Sequence, residues 1–330
     1  MNRFNPTKVI SDSLFQKITE VRVRSNHYVQ DIAQKRVRRQ TFVPSGRINI
    51  VAADHPARGS VSVGQDSFAM ANRHDLLARL VSVLRSEWVD GVLASMDILE
   101  ELLILHGLLQ EGGDGVLDRK LLIASLNRGG MPGSAWELND PVTGTDVGTC
   151  REYGLDAAKM LLRVDPKSVD SLTTMMACAE GIREMNRENL PLILEPLPVV
   201  RESGGYKVVK EPDPLIRLMG VASALGNFSR NLWLKIPYTR DFKRVVQATT
   251  LPIVILGGDR ASLDRTMKDL GDALNAGHQV RGAMYGRNVL YPSSEQPVEV
   301  AERIGKLVHE KKAGTAERSV PAGKHSRNSN

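Results

Sequence analysis

The feature that most constrains the fold is a series of short apolar runs, rich in Val, Ile and Leu, that recur along the chain between turn residues and stretches with helical periodicity. Runs that are apolar on both faces are typical of parallel strands covered by helices. The intervening stretches include amphipathic segments at 74–87 and 264–277, as covering helices require. The eight runs are INIVAADH (48–55), DGVLASMD (90–97), KLLIASLN (120–127), AAKMLLRV (157–164), LPLILEPLP (190–198), LWLKIPYT (232–239), PIVILGGD (252–259) and VRGAMYGRNV (280–289).

This alternation predicts an α/β chain folded as a (β/α)8 TIM barrel, because eight β/α units in about 250 residues match the size of that fold. An open doubly wound sheet is the competing arrangement. No G-x-G-x-x-G sequence follows the first run, however, so the dinucleotide-binding form of that sheet is not favoured.

Charge divides the chain into three parts. The net charge is +6, yet residues 1–47 carry ten Lys or Arg against three Asp or Glu, and residues 311–330 carry five against one. We predict a helical arm at 1–46, a barrel at 47–310 and a disordered basic tail at 311–330, since the tail has almost no apolar residues to bury. The basic run at 35–39 fits a lid over the bottom of the barrel or an oligomer arm.

The cysteine content and the absence of apolar spans predict where the protein works. Two cysteines, Cys150 and Cys178, form neither a disulfide framework nor a metal-type C-x-x-C pair. The sequence has no run of 18 apolar residues, and its N-terminus lacks the apolar core of a signal peptide. We predict a cytoplasmic homo-oligomer with no membrane partner.

In a barrel, the loops after the strands meet at one end and carry the functional side chains. Lys235 is the most informative of these, because it lies inside the apolar run LWLKIP. Burial and neighbouring cations would lower the pKa of such a lysine, and the neutral amine could then attack a carbonyl and form a Schiff base. A structural lysine paired with a carboxylate inside the barrel is the alternative.

Three further ionisable residues interrupt apolar runs. Lys159 lies in AAKMLLRV, where it could depress the pKa of the first lysine or relay protons. Asp54 ends the first run and Glu195 interrupts the fifth, and imine chemistry needs such proton donors and acceptors. Either carboxylate could instead be a hydrogen-bonded polar group of the core.

The last two strands end in glycine-rich turns, where main-chain N–H groups can approach an anion. The loops after strands seven and eight form the phosphate site of many barrels. We therefore expect a small phosphorylated molecule as ligand. The predicted substrate or phosphate contacts are Gly257, Gly258, Gly286, Arg287, Arg163, Asn127 and Arg58.

Other site classes have weaker support in the sequence. Histidines are scattered, so a metal site would have to form without a short His cluster, although the pair Asp54–His55 could belong to one. We predict no metal and no organic cofactor. Aromatic residues do not alternate with basic ones, so no nucleic-acid partner is predicted.

Six of the eight runs together resemble the class I, Schiff-base aldolases of the DeoC/LacD superfamily, which include tagatose-bisphosphate and archaeal-type fructose-bisphosphate aldolases. The motifs are AADHPARGS, DAAKMLLRVDP, ILEP, LKIPYT, LGGD and GAMYGRNV, in the same order, between about residues 48 and 300. The resemblance implies that Lys235 forms the imine and that Asp54 contacts it. It further implies proton transfer by Lys159 and Glu195, and phosphate binding by the two glycine turns.

The sequence departs from these relatives at two places. Strand five reads LEPLP where fructose-type enzymes have an aromatic proton donor, and a long insertion, GMPGSAWELNDPVTGTDVG, follows strand three. The resemblance therefore predicts a class I aldolase, a lyase of carbohydrate metabolism, that reversibly cleaves a phosphorylated ketose or keto-acid sugar. The sugar stays open, with 2-deoxy-5-keto-gluconate 6-phosphate as one candidate. A metal-dependent barrel lyase and a non-catalytic sugar-phosphate-binding barrel remain alternatives.

Overall fold

A computed structural model describes residues 4–25, 27–258 and 262–310. Its centre is a closed barrel of eight parallel strands, as the sequence predicts. The barrel strands are β1 (Ile48–Ala52), β2 (Gly91–Ala94), β3 (Leu121–Ser125), β4 (Ala157–Val164), β5 (Leu192–Glu202), β7 (Leu232–Pro237), β8 (Ile253–Leu256) and β9 (Val280–Tyr285). Each strand pairs with its neighbours in this order, and β1 pairs with β9 to close the ring. The predicted tail at 311–330 and the last residue of the predicted run 252–259 lie outside the described residues.

Helices surround this barrel. The predicted amphipathic segments at 74–87 and 264–277 form α3 and α9, and each begins at a side-chain cap: Asn72 accepts from the N–H of Asp75, and Ser262 accepts from that of Arg265. The helices are α1 (Asp12–Arg24), α2 (Tyr28–Lys35), α3 (Arg73–Leu84), α4 (Met96–Gln110), α5 (Val147–Glu152), α6 (Asp170–Arg187), α7 (Pro212–Ser223), α8 (Phe242–Val246), α9 (Leu263–Ala276), α10 (Arg287–Leu290) and α11 (Pro297–Glu310).

One strand lies outside the predicted set. The fifth run was expected to end at 198, but β5 continues to Glu202 and turns back into β6 (Gly205–Val208), which pairs with it antiparallel. Gly204 and Gly205 have φ values of 95° and 144°, which a tight turn of this kind requires. The hairpin is mostly polar and exposed, so the apolar pattern that marks the barrel strands does not extend into it.

The interior of the barrel is a layer of apolar side chains from alternate strand positions. Ile50, Ile123, Ala157, Ile193 and Val254 are all at most 1% exposed and belong to this layer. A second and larger apolar cluster fills the space between the sheet and the helices. The strand residues therefore have two buried faces, which explains their continuous apolar runs.

The N-terminal segment covers the amino-terminal end of the barrel. Helices α1 and α2 pack against α4, and Phe42 and Val43 contact the interior apolar layer. Arg36 is 4% exposed and its Nη2 lies 2.9 Å from Asp156 Oδ2, immediately before β4. Arg39 makes a similar contact with Asp90, immediately before β2. The basic run thus binds carboxylates at the bottom of the barrel.

None of the helices described in the structure is long and apolar enough to cross a membrane.

Candidate active site

The strand pleat determines which polar side chains enter the barrel. Residues two positions apart on a strand point to the same side, so the residue two beyond an interior apolar position also points inward. In this way Ile123 is followed by Ser125, and the same rule continues along four other strands. The inward polar positions above the apolar layer are Asp54, Ser125, Lys159, Glu195 and Lys235.

Four of these side chains, all predicted as catalytic, form one continuous charged network. Lys235 Nζ lies 3.1 Å from Glu195 Oε2, and the same oxygen is 2.6 Å from Lys159 Nζ. Lys159 Nζ is in turn 3.2 Å from Asp54 Oδ2. Each of the four residues is at most 8% exposed. The structure therefore brings together residues that are up to 181 positions apart in the sequence.

Burial and charge act in opposite directions on the two carboxylates. Burial alone would raise the pKa of Glu195, but Lys159 and Lys235 outweigh it and lower the pKa to about 2. Burial also opposes ionisation of Asp54, yet Lys159, Arg128 and Lys235 hold its pKa well below the usual value. Both groups are therefore carboxylates at neutral pH.

The first of the two lysines in the network, Lys159, has a perturbed ionisation. Its burial lowers the pKa, and the attraction of Asp54 and Glu195 only partly offsets that effect. Lys235 and Arg128 add to the lowering because they are cations nearby. Lys159 thus releases a proton more readily than an ordinary lysine.

His55 follows Asp54 at the rim of the barrel. Its Nδ1 lies 3.9 Å from Asp54 Oδ1 and, within the described residues, has no hydrogen-bond partner. Burial lowers the pKa of the ring to about 4, and Arg287 and Lys235 add to this effect against the attraction of Asp54. The imidazole is therefore neutral at neutral pH and separates the lysine network from the last glycine turn.

Two polar groups in the network were not among the predicted site residues. Arg128 Nη1 lies 3.1 Å from Asp54 Oδ2, and Ser125 Oγ donates to the same oxygen at 3.1 Å. Ser125 could have been found from the pleat, because it stands two residues beyond Ile123. Arg128 lies just past the strand, where no periodicity applies, so its direction depends on the loop that follows.

Three predicted substrate contacts instead hold that loop in place. Arg58 donates to the carbonyls of Gly130 and Asn127 at 2.9 and 2.6 Å, and its Nη1 lies 2.5 Å from Asp140. Asn127 donates to Leu161 O at 2.7 Å and accepts from the N–H of the same residue. The Arg58 terminal nitrogens and the Asn127 side-chain amide bind the protein itself, so a substrate contact by either residue stays a prediction that this geometry does not favour.

The third of these residues, Arg163, is paired in the same manner. Its Nη1 donates to Glu137 Oε1 at 2.7 Å, and its Nη2 donates to the main-chain carbonyls of Gly130 and Glu137. Glu137 is 2% exposed and also accepts from the N–H groups of Gly133 and Tyr206. Arg163 therefore fastens the β3 loop to β4 and, through Glu137, the β5–β6 hairpin. Phosphate binding by Arg163 stays a prediction.

The predicted phosphate turns adjoin the same end of the barrel. Gly257 and Gly258 follow β8, and Gly286 follows β9. A Cβ atom at Gly286 would come within 2.7 Å of His55 Cε1, so only glycine allows this approach. Arg287 begins α10, and its charge acts on His55. Phosphate binding by these turns stays a prediction.

Metal-binding side chains are not clustered in the part of the chain that the structure describes, where no group of three His, Cys, Asp or Glu could hold an ion.

Comparison with known proteins places the chain in a family. A model of the Cgl0159-like family matches residues 46–304, which is most of the chain. The chain belongs to the Cgl0159-like family. The crystal structure of Cgl0159 from Corynebacterium glutamicum is 34% identical, covers 92% of this chain and 99% of its own, and superimposes with a TM-score of 0.86.

Aldolase structures share the barrel of this Cgl0159-like chain. An archaeal fructose 1,6-bisphosphate aldolase is 22% identical over 86% of this chain and 99% of its own, with a TM-score of 0.59. The fructose-bisphosphate aldolase of Slackia heliotrinireducens is 14% identical over 94% and 91%, with the same TM-score. At these identities the likeness shows the fold, and the predicted resemblance to class I aldolases is confirmed at that level.

One curated relative matches a short segment of this member of the Cgl0159-like family. The 2-amino-3,7-dideoxy-D-threo-hept-6-ulosonate synthase 1 of Archaeoglobus fulgidus is 36% identical over 76 residues, or 23% of this chain. The match spans 28% of that relative's length.

Proposed function

We propose that this protein is a class I aldolase that forms a Schiff base through Lys235 and reversibly cleaves a phosphorylated ketose or keto-acid sugar. The observation that carries the proposal is the buried network of Lys235, Glu195, Lys159 and Asp54, in which each side chain contacts the next. Two amines and two carboxylates at the carboxyl-terminal end of a barrel supply a nucleophile together with proton donors and acceptors.

Lys235 is the better nucleophile of the two lysines on geometric grounds. It contacts one carboxylate, Glu195 at 3.1 Å, and that oxygen is held more closely by Lys159, at 2.6 Å. Lys159 contacts two carboxylates, so it would lose more interactions than Lys235 if its nitrogen moved to attack a substrate. A neutral Lys235 amine would add to the substrate ketone and give a carbinolamine, and loss of water would give the imine.

Lys159 and Glu195 provide a proton path for these steps. The lowered pKa of Lys159 lets it act as an amine that takes a proton from Lys235, with Glu195 bridging the two nitrogens. The protonated Lys159 then returns that proton to the hydroxyl group that leaves as water. In the carbon–carbon cleavage the iminium accepts the electron pair, and the Asp54 carboxylate is placed to receive a proton from a substrate hydroxyl.

The glycine turns after β8 and β9 would hold the substrate phosphate. Main-chain N–H groups of the turns at Gly257, Gly258 and Gly286 would face the anion, and Arg287, which follows Gly286, would supply a positive charge beside them. The network and these turns belong to the same end of the barrel, separated by His55. A sugar phosphate would thus extend from the phosphate turns across the lysine. The protein would act on its substrate in the cytoplasm, as a homo-oligomer.

Reductive trapping tests the proposal. The full-length protein is incubated with ketose mono- and bisphosphates and a phosphorylated keto acid, then with sodium borohydride, and is digested with trypsin. A sugar on Lys235 blocks cleavage at that residue, so a modified peptide spanning residues 231–240 replaces the peptide 231–235. We expect this modified peptide with at least one sugar, and turnover that EDTA does not change.

Two lysines serve as controls. Modification of Lys159 would instead give a peptide spanning 152–163. Lys120 is a partly buried lysine at the other end of the barrel whose pKa burial lowers to about 8. Lys235→Ala must abolish the adduct. An adduct on Lys159 would overturn the assignment of the nucleophile. EDTA-sensitive turnover without an adduct would indicate a metal-dependent lyase, and sugar-phosphate binding without an adduct or turnover would indicate a non-catalytic barrel.

A further inference from the structure

Arg128 carries an unused hydrogen-bonding edge at the centre of the candidate site. The residue is 8% exposed, and its Nη1 contacts Asp54 Oδ2 at 3.1 Å. Its Nε and Nη2 are buried and have no hydrogen-bond partner among the described residues. These two nitrogens form one side of the guanidinium, and their parallel N–H groups match the two oxygens of a carboxylate.

A buried guanidinium with unpaired N–H groups is unfavourable, because each of these groups loses its hydration without gaining a hydrogen-bond acceptor. The neighbouring arginines differ in this respect. Arg58 and Arg163 each donate from both terminal nitrogens to protein acceptors, and each pairs with a buried carboxylate, Asp140 or Glu137. Arg58 Nε is also buried without a partner, but both of its terminal nitrogens are paired. The loop after β3 is thus held by two arginines with paired terminal nitrogens, and it carries a third whose whole bidentate edge lacks a partner among the described residues.

Charge in the network also favours an additional anion. When a proton is held by each lysine, Lys159, Lys235 and Arg128 supply three positive charges, and Asp54 and Glu195 supply two negative ones, all joined by contacts of 3.2 Å or less. One positive charge is therefore in excess within the network. An anionic group that binds Arg128 would balance it in an environment where unpaired charge is costly.

We infer that Arg128 is a specificity-determining residue that binds a carboxylate of the substrate, so that the substrate is a phosphorylated keto acid. The inference rests on the proposed function and narrows its substrate class. Four successive contacts link Arg128 Nη1 to Lys235 Nζ through Asp54, Lys159 and Glu195, so the carboxylate would bind in the same site as the imine. The phosphate then lies on the other side of Lys235, at the glycine turns. Because Nε and Nη2 are covered in this conformation, the Arg128 side chain or its loop shifts as the carboxylate enters.

A matched pair of substrates tests this inference. The two ketose monophosphates differ only at the end remote from the phosphate, where one has a carboxylate and the other a hydroxymethyl group. We expect the wild-type kcat/KM for the acid to exceed that for the alcohol by on the order of 100-fold, as for a buried bidentate charge pair. A wild-type ratio near one overturns the inference without any variant.

Three variants separate recognition from support of Asp54. Arg128→Gln removes the charge and the bidentate edge, Arg128→Lys keeps the charge alone, and Arg217→Gln on the exposed face of α7 is the control. We expect the preference for the acid to fall to within a few fold in Arg128→Gln, mainly through KM, to recover partly in Arg128→Lys and to stay unchanged in Arg217→Gln. A variant that slows both substrates equally indicates a role confined to positioning Asp54, and overturns carboxylate recognition.

Two further outcomes are distinguishable. If a ketose bisphosphate is the better substrate and its advantage depends on Arg128, the residue binds a second phosphate and the carboxylate assignment is wrong. Borohydride trapping runs in parallel on every sample. An adduct on Lys235 without preference for the acid overturns this inference and leaves the proposed function intact, whereas no adduct with any sugar overturns both.

Discussion

At the scale of single residues, the candidate site depends on polar side chains placed one pleat above an apolar layer. Lys159 stands two positions beyond Ala157, and Glu195 stands two positions beyond Ile193. Each side chain is therefore held by strand geometry and not by a flexible loop. The cost of burying four charges is offset by their mutual contacts, and removal of any one would leave the others uncompensated.

The ionisation of His55 gives a direct test of this environment. Its pKa of about 4 lies below the ordinary value of 6.5, so protonation favours the unfolded chain. The stabilisation is complete above pH 6.5 and decreases as the pH falls from about 6.5 to about 4. We expect the Cε1 resonance of His55, assigned with His55→Gln, to titrate with a midpoint near pH 4 in the folded protein.

The same variant checks the sign of the effect. The free energy of unfolding is measured in urea for the wild type and for His55→Gln. The difference, wild type minus variant, should decrease as the pH falls from 6.5 to 4 and should not change with pH above 6.5. A His55 resonance that titrates near 6.5 would contradict a buried neutral ring.

At the scale of elements, the loops after β1 and β3, strand β4 and the β5–β6 hairpin form one unit. The buried ion pairs Arg58–Asp140 and Arg163–Glu137 join the loops and β4, and the hairpin is joined by a hydrogen bond to Glu137. Arg163 and Glu137 are 9% and 2% exposed, and Glu137 also accepts hydrogen bonds from the β3 loop and from β6. Neither this unit nor the β5–β6 hairpin follows from the sequence, because the polar residues of the unit have no periodicity and the hairpin adds only a few apolar residues, such as Val199 and Val208, to a small local cluster. The barrel strands and the helices α3 and α9 do follow from it, because their apolar periodicity is unbroken.

Removing one partner of the Arg163–Glu137 ion pair tests how much the pair contributes to the free energy of unfolding. Arg163→Met leaves Glu137 buried without its cation, and we expect a loss of about 3–5 kcal/mol in the free energy of unfolding. Adding Glu137→Gln removes the unpaired charge, so the double variant should recover part of that loss. Urea denaturation at pH 7 compares four proteins, the wild type, Arg163→Met, Glu137→Gln and the double variant. Strictly additive losses would show that the two side chains do not interact.

At the scale of the whole molecule, the N-terminal segment and the barrel share one packed structure. The net charge of +6 could suggest an anionic polymer as partner, but the excess positive charge lies at the two ends of the chain. Arg36 and Arg39 of the basic run bind Asp156 and Asp90 at the bottom of the barrel, so part of the positive charge is already paired.

Arg36 and Arg38 both contact Asp156, so together they test whether burial decides the strength of these ion pairs. The Arg36 side chain is fully buried against Asp156, whereas that of Arg38 is 46% exposed. We expect Arg36→Met to lower the free energy of unfolding by about 3 kcal/mol or more, and Arg38→Ala to change it by about 1 kcal/mol or less. Chemical denaturation with both variants measures the difference. Equal effects would mean that burial at the bottom of the barrel does not decide the strength of these contacts.

The sequence by itself determined the barrel, because eight two-sided apolar runs have few other ways to be buried, and it identified Lys235, Lys159, Glu195 and Asp54 as charges inside those runs. Only the tertiary structure decided which of these charges touch, and that Arg58, Arg163 and Asn127 bind the protein's own loops. The reason is physical: strand periodicity fixes the direction of a side chain locally, whereas a loop arginine takes whichever acceptors the rest of the fold brings within reach. Arg128 lies just beyond the last periodic position of its strand, so the sequence places it near the site but only the tertiary structure shows that it contacts Asp54.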